Sequence, residues 1–337
     1  MTTLTSQLDA LAAAREGVVA VDRPDLATVG LRGGDVLRYL HAVCTQDTAG
    51  LRPGDAAEAL LLSPKGRIEF AFRLAVLDDE VLLDTDADAA PALAGRLARF
   101  VFRYDVTVAE PTPGALSLLG PDADATLAAA GLPVPAAGRA AWSGAGLVAH
   151  RTAVGVDLVG PDAPAAASAL ERAGVAAGPA ELWELLRVER GLPRVGRELT
   201  DDVLAEEAGL LGSHVHLDKG CYPGQETVAR VHNLGHVQRR LAGLRFEPGG
   251  LPAPPADLVT ADGRRAGQLR SVVDHPELGP IGLAYVRRTV DPGDQVWTID
   301  RGANLEPPGP PAGDRPATVV ALPFRQSGPR AASAHGD

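Results

Sequence analysis

The sequence predicts an α+β chain that ends in a small all-β barrel. Three observations carry this. Up to about residue 236, apolar residues at helical spacing alternate with short strand-like runs. From Arg239 onward the helical spacing disappears, and short apolar runs are split by Gly, Pro and Asp. The 337 residues suffice for two or three domains. The expected division is 1–110, an N-terminal α+β domain, 111–236, a second α+β domain, 237–324, the barrel, and 325–337, a polar disordered tail.

The elements follow in order. Thr5–Glu16 reads as an amphipathic helix stopped by Gly17. Residues 18–21 and 27–31 are short strands, and Gly33-Gly34-Asp35 opens a helix to Val43. Cys44 reads there as a small core residue. Strands are expected over 57–62, 67–77 and 81–84, the first two joined by the turn Ser63-Pro64-Lys65-Gly66. Glu69 stands just after that turn. A helix over 89–101, a strand over 104–109 and a mixed region to Ala173 follow. Pro179–Gly191 is a bounded helix, with Pro in its first turn and Gly at its end. The barrel strands are expected at 241–246, 257–260, 266–273, 281–286, 295–299 and 317–323, with a Pro/Gly-rich stretch over 304–316.

Composition excludes several functions. Apolar residues make up 45% and charged residues 22%, as in a soluble globular protein, and no run approaches the ~18 apolar residues of a membrane helix. The start lacks a basic segment followed by an apolar core, so no secretory signal is expected. Two cysteines, Cys44 and Cys221, fit a reducing cytoplasm and are too few for a cysteine-ligated cluster held by one chain. A net charge of −11 disfavours direct nucleic-acid binding. Of 32 basic residues only Lys65 and Lys219 are lysine, and both precede a glycine in a turn sequence. Ammonium and guanidinium are not interchangeable at a close-packed site. These two positions either require lysine or reflect compositional bias.

Two stretches carry chemistry. In Lys219-Gly220-Cys221-Tyr222-Pro223-Gly224-Gln225-Glu226, Pro and Gly set a type II turn over 222–225. Residues 227–231 continue as helix or extended chain. With a helix there, Cys221 precedes its N-terminus and Lys219 is two residues away, and both favour a thiolate. Otherwise Cys221 is a small buried residue. Glu189 falls on the apolar stripe of Leu182, Leu185 and Leu186, in the last turn of its helix, where the macrodipole disfavours an acid. It needs a partner, such as Arg194 or Arg197, or a function. Glu198, Asp201, Asp202, Glu206 and Glu207 read as a solvated acidic loop. His214, His216, Cys221, His232 and His236 are close in sequence but lack a metal-ligand spacing, and no metal is expected.

The run Lys219–Glu226, continued by Val228-Ala229-Arg230, resembles the KGCYxGQE signature of the YgfZ branch of the YgfZ/GcvT family. Residues 186–193 are similar to the aminomethyltransferases' LRLExGLxLYG segment, residues 33–47 to GxDAxxFLxxLxTxD, and residues 197–212 to tDDxxxPEAGLL. The resemblance spans Val18–Pro323. It implies a three-domain aminomethyltransferase-like (GcvT-like) fold around a central folate channel, with interleaved α+β domains. It implies a cytoplasmic tetrahydrofolate-binding accessory protein that supports assembly or repair of iron–sulfur enzymes, with effects reaching transfer-RNA modification. The implied partners are folate and iron–sulfur enzymes or cluster-assembly proteins. Cys221 and Lys219 would be the reactive thiol and its cation. Glu189 would grip the pterin, with Glu69, Tyr222, Gln225 and Arg230 as further folate-site residues. Tyr222 would stack on the ligand or pack. The alternative is a tetrahydrofolate-dependent aminomethyltransferase or demethylase. That family places a catalytic Asp where Glu69 stands here.

Overall fold

The computed structural model describes residues 6–143, 146–235, 237–299 and 315–325. The expected tail beyond 325, most of the stretch 304–316 and His236 lie outside them. The chain forms two compact units, Met1–Glu184 with Pro193–Arg240, and Leu185–Leu192 with Leu241–Asp337.

The first unit opens with α1 (Gln7–Glu16), capped by the Ser6 side chain and closed by Gly17. Then come β1 (Val19–Asp22), β2 (Leu26–Arg32), α2 (Val36–Val43), β3 (Ala56–Leu62), β4 (Ile68–Val76), β5 (Val81–Asp86), α3 (Ala90–Ala98), β6 (Thr107–Val108), β7 (Thr112–Pro113) and β8 (Ala115–Leu119). They are followed by α4 (Ala123–Ala129), β9 (Ala141–Ser143), β10 (Leu147–Arg151), β11 (Gly155–Val159), α5 (Ala163–Arg172) and β12 (Ala176–Ala177). Next are α6 (Glu181–Arg190), whose second half belongs to the other unit, α7 (Leu211–His214) and α8 (Gln225–Leu234).

Two sheets organise this unit. One has the order β3-β4-β5-β2-β6, with β7 also on β2. Its alternating apolar residues, among them Val29, Leu31, Leu61, Phe72 and Leu83, bury against Tyr39 and Leu40 of α2 and Leu93 and Leu97 of α3. The other has the order β12-β1-β8-β11-β10-β9, and Leu127 of α4 and Leu170 of α5 cover it. The expected boundary at 110/111 does not separate the sheets. β1 pairs with β8, and β7 pairs with β2, so the two layers exchange strands across it.

The expected strand over 104–109 shrinks to two residues. Asp105 is committed to the Gly33-Gly34-Asp35 turn: its carbonyl accepts the Asp35 amide, and its carboxylate the Gly34 amide at 3.0 Å. Backbone groups used in that turn are lost to the ladder.

The second unit is a closed antiparallel barrel. Its strands are β13 (Arg239–Phe246), β14 (Ala256–Val259), β15 (Arg265–His275), β16 (Gly279–Arg287), β17 (Gln295–Ile299) and β18 (Arg315–Val320), in the order β13-β16-β15-β14-β17-β18. Leu244, Leu258, Leu269, Val286, Val296 and Val319 fill it. All six expected barrel strands form. Val188 of α6 packs against Ile281 and Leu283 of β16. Among the described residues no helix is long and apolar enough to cross a membrane.

Candidate functional site

The turn Tyr222-Pro223-Gly224-Gln225 forms as the sequence predicts. Gly224 has φ 85° and ψ −2°, the third position of a type II turn, and the Gln225 amide donates to the Tyr222 carbonyl at 3.3 Å. Helix α8 starts there and stops at Gly235, itself left-handed at φ 67°. Cys221 precedes the helix and is exposed.

This turn sits directly on the β3–β4 hairpin turn. A Cβ on Gly224 would lie 2.7 Å from the Ser63 carbonyl oxygen and 2.9 Å from the Gly66 Cα. A Cβ on Gly66, at φ 75°, would lie 2.6 Å from the Thr227 Cβ. Both glycines are needed for the conformation and for the approach. The contact brings the turn that carries Lys65 against the turn that follows Cys221.

Lys219 is buried, and its ammonium donates to the carbonyls of His41, Cys44 (2.7 Å) and Gln46 (3.0 Å). These carbonyls stand at the end of α2, where a helix leaves acceptors unfilled and a cation is favoured. Lys219 is therefore the C-terminal cap of a helix 178 residues away in sequence. Three donors on one atom can meet three converging carbonyls, whereas a planar guanidinium fork spreads its donors apart. Burial lowers the Lys219 pKa, opposed by the nearby Cys44 and Asp47. The hydrogen bonds of Lys219 thus go to the end of α2 and anchor there the loop that bears Cys221.

Tyr222 is 7% exposed, and the Lys219 ammonium lies 5.0 Å from its ring centroid. Of the two expectations for Tyr222, the structure shows packing. Gln225 Nε2 donates to the Lys219 carbonyl at 3.4 Å and so shapes the loop. Arg230 is exposed on α8. Cys44 is fully buried at the C-cap of α2, and burial pushes its thiol up.

Glu69 is the extra residue of a β-bulge. Leu61 faces Phe70 and Leu62 faces Ile68, which leaves Glu69 without a cross-strand partner and re-aims its side chain. Arg96 of α3 takes it, Nε to Oε2 at 3.0 Å, and stacks 4.5 Å from the Phe100 ring centroid.

Glu189 belongs to the barrel unit and is 3% exposed. Its Oε2 lies 2.8 Å from Nε2 of His275, which is 1% exposed at the end of β15. His275 Nδ1 accepts the amides of Glu277 and Leu278, each at 3.1 Å. An Nδ1 that accepts two N–H groups carries no proton, so Nε2 carries it and donates to Glu189. One turn of the DHPELG hairpin thus fixes the tautomer that holds the carboxylate. Arg187 is fully buried on the same helix. It donates to Ser271 Oγ at 2.7 Å and to the Leu192 carbonyl at 2.9 Å. Ser271 and His275 lie on the same strand, at positions of equal parity. Arg194, a sequence neighbour of Glu189, pairs instead with Asp86 and with Asp25 at 2.7 Å.

The acidic loop is not wholly solvated as expected. Glu198 is fully buried and accepts the Arg194 amide at 3.1 Å. Glu207, 5% exposed, accepts the Leu204 amide at 3.0 Å and lies 3.2 Å from Arg239. Asp201 and Asp202 are exposed. Among the described residues no group of three or more His, Cys, Asp or Glu is arranged to hold a metal.

Sequence reading missed His275 and His41. The first is far from Glu189 in sequence, and its only signal is the inward parity it shares with Ser271. His41, in the last turn of α2, has Nδ1 3.0 Å from Asp47 Oδ1. Its Nε2 lies 3.3 Å from where a Gly220 Cβ would stand.

Residues 238–307 match the family "CAF17, C-terminal beta-barrel domain". The chain is 29% identical to an aminomethyltransferase of Frankia alni, over 94% of this chain and 88% of that protein. It is 34% identical to the human mitochondrial iron–sulfur cluster assembly factor IBA57, over 37% of this chain and 44% of that protein. The glycine cleavage system aminomethyltransferase T of Bartonella henselae superposes with a TM-score of 0.81 at 22% identity, covering 96% of this chain and 91% of that one. The chain therefore has the aminomethyltransferase-like fold, ends in a barrel of the CAF17 C-terminal type, and is homologous to aminomethyltransferases and to IBA57.

Proposed function

We propose that this chain is a tetrahydrofolate-binding accessory protein of the YgfZ branch that supports assembly or repair of iron–sulfur enzymes in the cytoplasm. The observation that carries the reading is Cys221, an exposed thiol on a loop anchored through Lys219, Gly224 and Gln225. Aminomethyl transfer has no use for such a thiol. The similarity to IBA57 points the same way. For folate, the support is Glu189. A carboxylate held by a neutral imidazole accepts paired N–H donors, which an aminopyrimidine edge presents side by side. Glu69, bound by Arg96, serves in this reading as a structural acid.

Deletion of the gene in its host, with add-back of wild type or Cys221→Ala, tests the thiol. Rescue of a sensitive iron–sulfur enzyme by wild type alone is the expected result. Equal rescue by Cys221→Ala overturns the thiol's role. Calorimetry with tetrahydrofolate tests the pocket: saturable binding to wild type, weakened at least tenfold in Glu189→Ala, is expected. Absence of binding to wild type overturns the folate reading.

The second reading is a tetrahydrofolate-dependent aminomethyltransferase or demethylase. The similarity to an aminomethyltransferase over 88% of its length favours it. Formaldehyde release or aminomethyl transfer that survives Cys221→Ala and is lost in Glu69→Gln would establish it.

A further inference from the structure

The Cys221 loop lies on the end of α2, and one side chain there approaches the loop. Lys219 holds the His41 carbonyl, so the backbone of residue 41 is fixed to the loop that bears Cys221. The next loop residue, Gly220, has no side chain, and a Cβ on it would stand 3.3 Å from His41 Nε2. The imidazole therefore reaches the loop backbone one residue before Cys221, whose Cα is about 3.8 Å further along a trans peptide. Asp47 Oδ1 lies 3.0 Å from Nδ1, the ring nitrogen other than the one that faces the loop. The Ala49 amide, with His41 and His216 nearby, holds Asp47 below the usual carboxylate range. Asp47, against the His41 ring, also feels His216, and the Lys219 ammonium on the His41 carbonyl feels the buried Cys44, with Arg38 one turn back and paired to Asp35 at 3.2 Å.

We propose that His41, oriented by Asp47, is the base that accepts the Cys221 thiol proton. The S–H bond breaks, an N–H bond forms at Nε2, and a thiolate beside an imidazolium results, with no other reactant. Nucleophile, base and orienting acid then come from the Cys loop, α2 and the segment after α2. The inference also places Lys219. Its ammonium fixes the two loops in register, and the proton goes to the imidazole. This rests on the reading of Cys221 as the working thiol, but its test does not need folate or an iron–sulfur enzyme.

The test is the rate of iodoacetamide alkylation of the native full-length protein as a function of pH, with the site confirmed by peptide mass. Only two cysteines exist and Cys44 is buried, so the rate reports Cys221. The expected result is that His41→Gln slows alkylation about tenfold at pH 7, Asp47→Asn by a smaller factor, and that all rates converge above about pH 9.5, where an unaided thiol ionises. The main chain of residue 41 carries the Lys219 bond, so His41→Gln keeps that anchor, and an unchanged melting temperature confirms it. Equal rates for wild type and His41→Gln at pH 7 overturn the proposal. So does a slowing in Lys65→Gln that His41→Gln does not share, since the exposed Lys65 would then be the activating group. Normal alkylation behaviour with failed rescue of the iron–sulfur enzyme would sink the proposed function and leave the His41 assignment standing.

Discussion

Lys219 and Glu189 pose the same physical problem, a charged side chain out of water, and the two units solve it differently. In the first unit the main chain solves it: three carbonyls at the end of α2 accept the Lys219 ammonium. In the barrel unit a side chain solves it: His275, 86 residues away, donates to Glu189. A main-chain cap asks only that one lysine reach a helix end, since every helix offers those acceptors. A side-chain pair asks that two residues be present together and that a third structure, here the Glu277 and Leu278 amides, set the tautomer.

The largest expected effect breaks the main-chain solution. Lys219→Met keeps the stem and removes every donor, leaving buried carbonyls unfilled. Charge-assisted bonds at such a site predict a loss of about 3–5 kcal/mol in urea unfolding. Lys219→Arg should recover less than half of it, because the fork cannot converge on three acceptors. A loss below about 1 kcal/mol in Lys219→Met would show that α2 does not depend on this cap.

Next is the side-chain solution. His275→Leu removes the donor to a buried carboxylate and should cost about 2–3 kcal/mol. In the double variant Glu189→Leu/His275→Leu the loss should differ from the sum of the single losses, since residues in contact couple. Tetrahydrofolate binding in His275→Leu should fall with it. Additive losses in the double variant would mean that the two residues are not a unit.

The same contrast explains what was legible in the sequence. Turn residues declare their backbone, so Tyr222-Pro223-Gly224-Gln225 and the stops of α1, α6 and α8 were readable from composition alone. The barrel was readable because Gly, Pro and Asp punctuate its short apolar runs. Glu189 was readable as an anomaly on an apolar stripe. Its partner was not, because nothing in Val273-Asp274-His275 names the residue it meets across the fold. The anchoring part of Lys219 is illegible for the same reason. Its sequence neighbour is Cys221, but its bonding partners lie about 175 residues back. Glu207 reads as solvated in the sequence because five acids stand together there, and the guanidinium of Arg239 that lies against it is not visible.

A smaller effect isolates the contact between the two turns. Gly224 and Gly235 are both left-handed, but a Cβ on Gly224 meets the Ser63 carbonyl oxygen at 2.7 Å, and one on Gly235 meets nothing within 4 Å. Gly235→Ala should cost only the conformational penalty, about 1 kcal/mol. Gly224→Ala should cost about 1–2 kcal/mol more, because the Ser63 turn must move. Equal losses by chemical unfolding would show that the hairpin yields freely.

The smallest effect is a pH slope confined to the first unit. His150 is 3% exposed on β10, with Nε2 3.2 Å from Asp84 Oδ1. Burial lowers its pKa below the ordinary 6.5, Asp84 opposes this, and Arg73 adds to it. The unfolded chain then binds more protons between the folded value and 6.5. The stability His150 contributes is complete above pH 6.5 and drains as pH falls from there toward the folded value. His214, also lowered by burial with Glu58 opposing, acts with the same sign. The lowered carboxylates cannot produce this slope. Asp157, where burial is outweighed by Arg73 and Arg23, and Asp25, where it is outweighed by Arg23 and Arg194, lose their contribution only below 3.8. Urea midpoints between pH 7 and 5 should therefore fall, at most by about 1.4 kcal/mol per pH unit for each histidine. His150→Gln should flatten part of that fall, and His150→Gln with His214→Gln most of it. A slope unchanged by both substitutions would mean that His150 charges in place against Asp84 and that burial does not hold it neutral.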